Sequence, residues 1–344
     1  MSHELKSDSV TVAAMTPLCK GERPISYELR SMTSPRIFAV GAAHLDRRGR
    51  VAETYVPAAS NPGTMREEVG GGVFNALRNA VRHGAKGTLL SLRGGDLAAE
   101  TVARTIQEWA IEDRSAIFLD RTTPSYTAIL DANGDLVAGF ADMGLYDSGF
   151  LRQLRRRSVR EAVAASDAIL CDANMSAEAV ASLMRLANGK SVYAIAISPA
   201  KVVRLADTLS NLSCLFLNLR EARTLARIGE DVSALAAAKA LRAAGLARAV
   251  ITQGEGPLLA FDENDFFTIA SLEAVTIIDV TGAGDAVAGT TVAHLMRGQP
   301  LREAIRYGVA ASFLTIQAAP VVAHYDDDTF AAALSLVGAP RAVA

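Results

Sequence analysis

The chain has 344 residues, half of them hydrophobic and 21% charged, close to the globular average and enough for one large domain or two ordinary ones. Acidic residues (37) nearly balance basic ones (35), and the formal charge of −2 excludes the net basic face that a general nucleic-acid or membrane-surface binder needs. Cys19, Cys171 and Cys214 are widely spaced and the five histidines include no i, i+4 pair, which argues against a zinc ribbon, a disulfide scaffold and a helix-borne metal site.

Residues 1–34 mix charges, Ser, Thr and Pro without a period, so a disordered tail is expected there, with Met32 a candidate biological start. No apolar signal core is present, because Glu4, Lys6 and Asp8 precede only a short run, and no stretch reaches about 18 apolar residues. A cytoplasmic protein is expected, with residues 35–344 as a single α/β domain.

From Ile37 onward strand and helix patterns alternate. β-rich runs fall at Ile37–Gly41, Thr88–Leu92, Ala168–Cys171, Val192–Ile197, Cys214–Leu217, Ala249–Thr252 and Thr276–Val280. Helical patterns fall at Val73–His83, Leu97–Ile111, Ala177–Ala187, Ser233–Ala244, Ala286–Arg297 and Leu301–Thr315. Buried apolar strands alternating with amphipathic helices predict a mostly parallel sheet covered on both faces. Two stretches break the alternation. Residues 45–69 read as polar and loop-like, with Asn61-Pro62-Gly63 as a turn; residues 121–142 read as a hairpin turning at Asn133-Gly134. Both are expected to form a lid. Arg152–Arg160 reads as a solvated helix face.

The motifs follow from how each segment can meet an anion or a hydroxyl. In T-I-I-D-V-T-G-A-G-D-A, Thr276 to Ala286, an apolar strand leads into Gly282-Ala283-Gly284, and a helical pattern begins at Asp285. Small residues let backbone N–H groups crowd around an anion, and Asp285 beside them can accept a hydroxyl proton. The plainer reading is a turn with Asp285 as N-cap. In V-G-G-G-V-F-N-A-L-R-N-A, Val69 to Ala80, glycines open a helix on which Asn75 and Asn79 share a face available for hydroxyl recognition. A dinucleotide fingerprint with Asp96 is the competing reading. Asn75 at the third glycine position and the charged T-M-R-E-E-V before it count against that reading. Asn218 and Glu221 in N-L-R-E-A follow a strand and can order Mg²⁺ waters beside phosphates, or simply start a helix. Thr252, Gly254 and Gly256 form a strand-to-glycine turn near which a nucleotide can lie, though an ordinary turn explains them as well. Asp46, five residues after Gly41, can accept from vicinal hydroxyls.

In this order, from Ile37 to Val322, the segments resemble the ribokinase-like (PfkB) family of sugar and nucleoside kinases. The resemblance implies a three-layer α/β/α fold with a small β lid. It implies Asp285 as catalytic base, with Gly282, Ala283 and Gly284 shaping the anion hole. Asp46, Gly70, Gly71, Asn75 and Asn174 are implied substrate-binding residues. Asn218 and Glu221 match the family's N-x-x-E motif and would hold Mg²⁺ through water, and Thr252, Gly254, Gly256 and Thr281 the nucleotide. ATP and Mg²⁺ are the implied cofactors, with room for a monovalent cation such as K⁺. Within the family the chain is similar to pseudouridine kinases, through S-N-P-G at Ser60–Gly63, P-S-Y-T-A-I-L-D at Pro124–Asp131, A-D-M at Ala141–Met143 and D-A-N-M at Asp172–Met175. It departs from the pattern at Val280, at Phe74, at the shortened Gly254-Glu255-Gly256 turn, and at Ile195-Ala196 before Ser198 and Lys201. The resemblance implies ATP-dependent phosphorylation of a ribosyl primary hydroxyl, pseudouridine first. Ribose, a purine nucleoside or a hexose derivative is the alternative on the same machinery. A non-catalytic ligand-binding regulator is the alternative of another class. The expected partners are a small-molecule substrate and a second copy through the lid, with no nucleic acid and no membrane. The helix N-terminus is expected to keep Asp285 ionised.

Overall fold

Apolar runs buried on both sides build the centre. The computed structural model describes residues 34–274 and 276–343, so most of the expected tail, Met32 included, lies outside the described residues. Seven strands run parallel in the spatial order Ala249–Gln253, Cys214–Asn218, Ser191–Ile195, Ala168–Asp172, Arg36–Val40, Lys86–Leu90 and Glu112–Asp113. Beyond Ala249–Gln253 the sheet continues antiparallel through Gly256–Phe261, Phe266–Ile269 and Arg341–Val343, reaching ten strands.

The two-residue period of the strands divides the core into two layers. Phe38, Ile169, Cys171, Leu215 and Leu217 face helices Arg157–Ala165, Ala177–Ala187 and Ala234–Ala243. Ile37, Ala39, Leu170, Cys214 and Phe216 face helices Gly72–Arg82, Leu97–Glu108, Ala283–Leu295 and Leu301–Ile316. The result is a three-layer α/β/α fold.

Several sequence expectations are corrected. Thr276–Val280 is not a strand; Ile277, Ile278 and Val280 are half exposed or more, and the Ile278 and Asp279 N–H groups donate to the Ile316 carbonyl. The antiparallel strands have filled the sheet edge this apolar run would need. Residues 45–69 are not all loop, since His44–Val51 and Gly63–Gly70 pair along their whole length. Their charges face solvent and each other, as in the cross-strand Arg47–Glu67 pair at 2.7 Å, and so hide the strand pattern. With Ser125–Leu130 and Leu136–Asp142 they make a four-stranded sheet in the order Gly63–Gly70, His44–Val51, Ser125–Leu130, Leu136–Asp142. The run Thr88–Leu92 is split, and Leu92–Gly94 pairs instead with Ala116–Phe118. The Arg152–Arg160 stretch spans the end of Gly144–Gln153 and the start of Arg157–Ala165 rather than one helix; its exposed Arg157 pairs with Glu161. No helix among the described residues is long and apolar enough to cross a membrane.

Candidate active site

In a parallel sheet the loops after the carboxyl ends of the strands surround a common crevice. Here that crevice is a cavity of about 630 Å³ lined by Asn174, Ile197, Asn218 and Thr252 from the strand ends, by Gly71, Asn75, Gly284 and Asp285 from two helix starts, and by His44, Asp46 and Tyr126 from the four-stranded sheet. Glu221, Lys201 and Thr281 complete its polar wall. Gly70, Gly282, Ala283, Gly254 and Gly256 stand outside the lining. Gly254 and Gly256 make the tight turn between two antiparallel strands, so of that motif only Thr252 reaches the cavity.

The helix carrying Asp285 starts at Ala283, two residues before Asp285, so Asp285 stands in its first turn and the N-cap is Gly282. Gly282 has φ +80°, and a Cβ there would meet the Val321 carbonyl oxygen at 2.3 Å, so glycine alone permits this entry into the helix. First-turn N–H groups have no acceptor within their own helix. Ala283 N–H is nonetheless engaged, donating to the Val280 carbonyl at 3.3 Å, which leaves the amides of Gly284 and Asp285 as the candidates for binding an anion.

Asp285 accepts a 2.8 Å hydrogen bond from Asn75 Nδ2. Burial raises its pKa to about 7; the Asn75 bond and Arg78 oppose the rise, while Asp172 and Asp46 add to it. The expectation that the helix dipole keeps this carboxylate fully ionised is therefore corrected, because desolvation outweighs the dipole. The group is poised to exchange a proton near neutral pH.

Asn75 is fixed from two sides. Gly71, at φ +116°, brings the chain so close that a Cβ would sit 2.2 Å from the Ala42 carbonyl oxygen. The Asn75 Oδ1 accepts from Arg78 at 2.5 Å. Asn79 does not share its role; it is fully buried and donates to the Asn75 carbonyl at 2.9 Å.

Three residues missed in the sequence support the site, and of them Lys201 alone lines the cavity. Asp172, fully buried at the end of its strand, accepts from the N–H groups of Ala42, Val73 and Asn174 at 3.0, 3.3 and 2.9 Å. It thus ties together the segment after Arg36–Val40, the start of the Gly72–Arg82 helix and the turn after its own strand, while burial pushes its carboxyl up. Lys201 donates to Asn174 Oδ1 at 2.5 Å and, among the described residues, is the one Lys or Arg in the lining. Arg78 lies behind Asn75. A carboxylate ending an apolar strand, and cations within apolar helical patterns, were the available signals. Asp46 pairs with His44 at 3.2 Å. Arg48, on the same strand, forms an ion pair with Asp279, whose Oδ1 also accepts from Thr281 N–H at 2.9 Å.

Asn218 and Glu221 form a capping box: Glu221 Oε2 accepts from Asn218 N–H at 2.7 Å and Asn218 Oδ1 from Glu221 N–H at 2.9 Å. Burial pushes the Glu221 carboxyl up. One carboxylate oxygen stays uncommitted at the cavity wall, a donor set that fits Mg²⁺ carrying its own waters better than a direct protein cage. Among the described residues no group of three His, Cys, Asp or Glu side chains gathers as a metal site.

This architecture, a glycine-led helix presenting an aspartate to a crevice roofed by a small sheet, is that of a phosphotransferase. The chain matches the pfkB family carbohydrate kinase pattern over residues 34–324 and belongs to that family. A pseudouridine kinase of Escherichia coli (strain K12) is 28% identical over 285 residues, 81% of this chain and 90% of that one. The solved structure of a carbohydrate kinase from Agrobacterium tumefaciens is 40% identical with a TM-score of 0.80, covering 90% of this chain and all of that one (100%). An Arabidopsis thaliana ribokinase complexed with ribose and ATP shares the fold at 15% identity and a TM-score of 0.76, over 88% of this chain and 100% of that one. The chain is thus a kinase that transfers phosphoryl groups to a hydroxyl acceptor.

Proposed function

We propose that the chain transfers the γ-phosphoryl of ATP to the ribosyl primary hydroxyl of pseudouridine. The observation that carries the reading is Asp285, held by Asn75 at the start of its helix in one cavity with Asn218, Glu221, Thr252, Asp46 and Asn174. The similarity to the E. coli pseudouridine kinase supports the choice of acceptor.

The acceptor hydroxyl hydrogen-bonds to the Asp285 carboxylate, which takes its proton as the oxygen bonds to the γ-phosphorus and the bond from that phosphorus to the β,γ-bridging oxygen breaks, the electron pair leaving with ADP. The Gly284 and Asp285 amides stabilise charge on the transferring group without reorganising. Glu221 and Asn218 would hold Mg²⁺ through water, and the metal supplies charge neutralisation at the phosphates when bound. Asp46 and Asn174 orient the sugar hydroxyls. His44, Tyr126 and Ala141 of the small sheet line the cavity from above and exclude water from the reacting phosphoryl. Dependence on ATP fits a cytoplasmic protein. The outer strand Leu136–Asp142 is exposed throughout, with Leu136 and Phe140 bare, and offers its edge to a second copy. Sedimentation that finds only monomer at micromolar concentration refutes this last assignment.

The test is a screen of pseudouridine, uridine, cytidine, adenosine and ribose with ATP and Mg²⁺, products read by mass. Pseudouridine 5′-phosphate as the fastest product is expected; preference for another acceptor overturns the substrate, and binding without turnover overturns the kinase reading. Asp285→Asn is expected to lower turnover by about 10²–10⁴-fold with the fold intact.

A further inference from the structure

Arg78 lies one helical turn after Asn75 and is only 4% exposed. Its guanidinium donates to the Val69 carbonyl at 2.9 Å and to Asn75 Oδ1 at 2.5 Å. The Phe74 and Trp109 ring centroids lie 4.6 and 5.7 Å from its guanidinium carbon, so packing as well as hydrogen bonding fixes the head group. An amide whose oxygen faces a guanidinium must present its nitrogen elsewhere, and the Asn75 nitrogen meets Asp285 at 2.8 Å. The flipped amide would set nitrogen donors against Arg78 and an oxygen against the Asp285 carboxylate, losing both bonds.

We propose that Arg78 is a positioning residue for phosphoryl transfer: it locks the Asn75 amide in the orientation that donates to Asp285, and so holds the base in place and available. This rests on Asp285 being the base. The groups around Asp285 come from separate elements: Arg78 and Asn75 from the Gly72–Arg82 helix, Asp172 from its strand end, and Asp46 from the roofing sheet. His44, Tyr126, Lys201 and Glu221 complete the titratable lining. Of the groups that shift Asp285, Arg78 is the one cation. Burial lowers Arg78 to about 10 against the pull of Glu68, Asp285 and Asp46, so it stays charged at neutral pH. Removing it takes away both the amide's anchor and the one positive charge that opposes protonation of the base.

The experiment compares pH–rate profiles, between about pH 5.5 and 9, for the unaltered chain, Arg78→Met, Arg78→Lys and Asn75→Ala, with ATP, Mg²⁺ and whichever of pseudouridine, uridine, cytidine, adenosine and ribose is turned over. Arg78→Met is expected to lower kcat about tenfold at pH 7 and to move its acid limb up by about one unit, with little change in the KM for ATP. Arg78→Lys should recover part of the rate and most of the limb position. In the Asn75→Ala background the Arg78→Met effect should be clearly smaller, because the amide's share is gone and only the direct charge of Arg78 on Asp285 remains. A loss equal at every pH, or undiminished in the Asn75→Ala background, overturns the proposal and leaves Asp285 as base. Full activity of Asp285→Asn overturns the base itself. Circular dichroism checks folding. If Arg78→Met does not fold, Asn75→Ala alone decides, since cutting the middle link must also raise the limb and an unmoved limb refutes the relay.

Discussion

Gly289 gives a test in which two physical rules predict opposite signs. It lies in the Ala283–Leu295 helix, one turn after Asp285, and that helix crosses the helix carrying Asn75 so closely that a Cβ at Gly289 would be 1.9 Å from the Ala76 carbonyl oxygen. Helix propensity alone says that Gly289→Ala stabilises by about 1 kcal/mol. The contact says otherwise. Real Cβ atoms essentially never come within 3.0 Å of such an atom, so the helices must part by about 1 Å. Overpacking of this kind costs about 1–3 kcal/mol, or roughly 2–5 °C in Tm for a chain this size. The same displacement acts on the 2.8 Å bond between Asn75 and Asp285, whose residues neighbour Ala76 and Gly289 on the two helices. A misplacement of about 1 Å at reacting groups lowers turnover by about 10²-fold. Differential scanning fluorimetry and steady-state kinetics of Gly289→Ala read both effects. A variant that melts higher than the unaltered chain and turns over normally would refute the close crossing and the link from helix packing to catalysis.

The rate should also follow the protonation of Asp285: with its value near 7, kcat/KM is expected to fall about tenfold per unit below that pH, and a profile flat from pH 8 to 5.5 refutes it as base. His83 and His294, buried side by side with ring centroids 5.4 Å apart, are pulled by burial to about 3 and about 4. They stay neutral in the fold while the unfolded chain binds protons below about 6.5, so their contribution is full above that pH. It falls as pH drops toward 4, by at most about 1.4 kcal/mol per unit for each histidine. Urea midpoints at pH 7.5 and 5 should therefore differ less for His294→Phe than for the unaltered chain, and an equal difference refutes the assignment. Glu221→Gln keeps an oxygen that can accept from the Asn218 N–H, so the capping box and the stability should be little changed, while the lost charge should raise the Mg²⁺ concentration needed for half-maximal rate; an unchanged Mg²⁺ titration refutes its role.

The parallel strands were legible because burial on both faces writes them as unbroken apolar runs, such as Ala168-Ile169-Leu170-Cys171. The same rule misled at Thr276–Val280, where Ile277 and Ile278 are apolar without being buried. Of the roofing strands, His44–Val51 and Gly63–Gly70 were hidden because their partners are charges across the ladder rather than a core, whereas the Ser125–Leu130 and Leu136–Asp142 hairpin was marked by its Asn133-Gly134 turn. At the site, Asp285, Asn218 and Glu221 are readable since each depends on neighbours within a few residues: a glycine turn, or a box spanning four positions. Arg78, Lys201 and Asp172 are not readable in this way. Their roles come from contacts with Val69, Asn174 and Ala42, made only once the helices and strand ends meet.

The Arg48–Asp279 ion pair joins the strand that carries Asp46 to the loop that leads into the Ala283–Leu295 helix, where the phosphoryl group is proposed to bind. A ligand that favours this pairing from the sugar end therefore also favours it at the phosphate end. Such coupling is reciprocal by necessity: whatever factor the acceptor adds to nucleotide affinity, the nucleotide adds to acceptor affinity. In the proposed reaction each substrate would then act as an effector for the other.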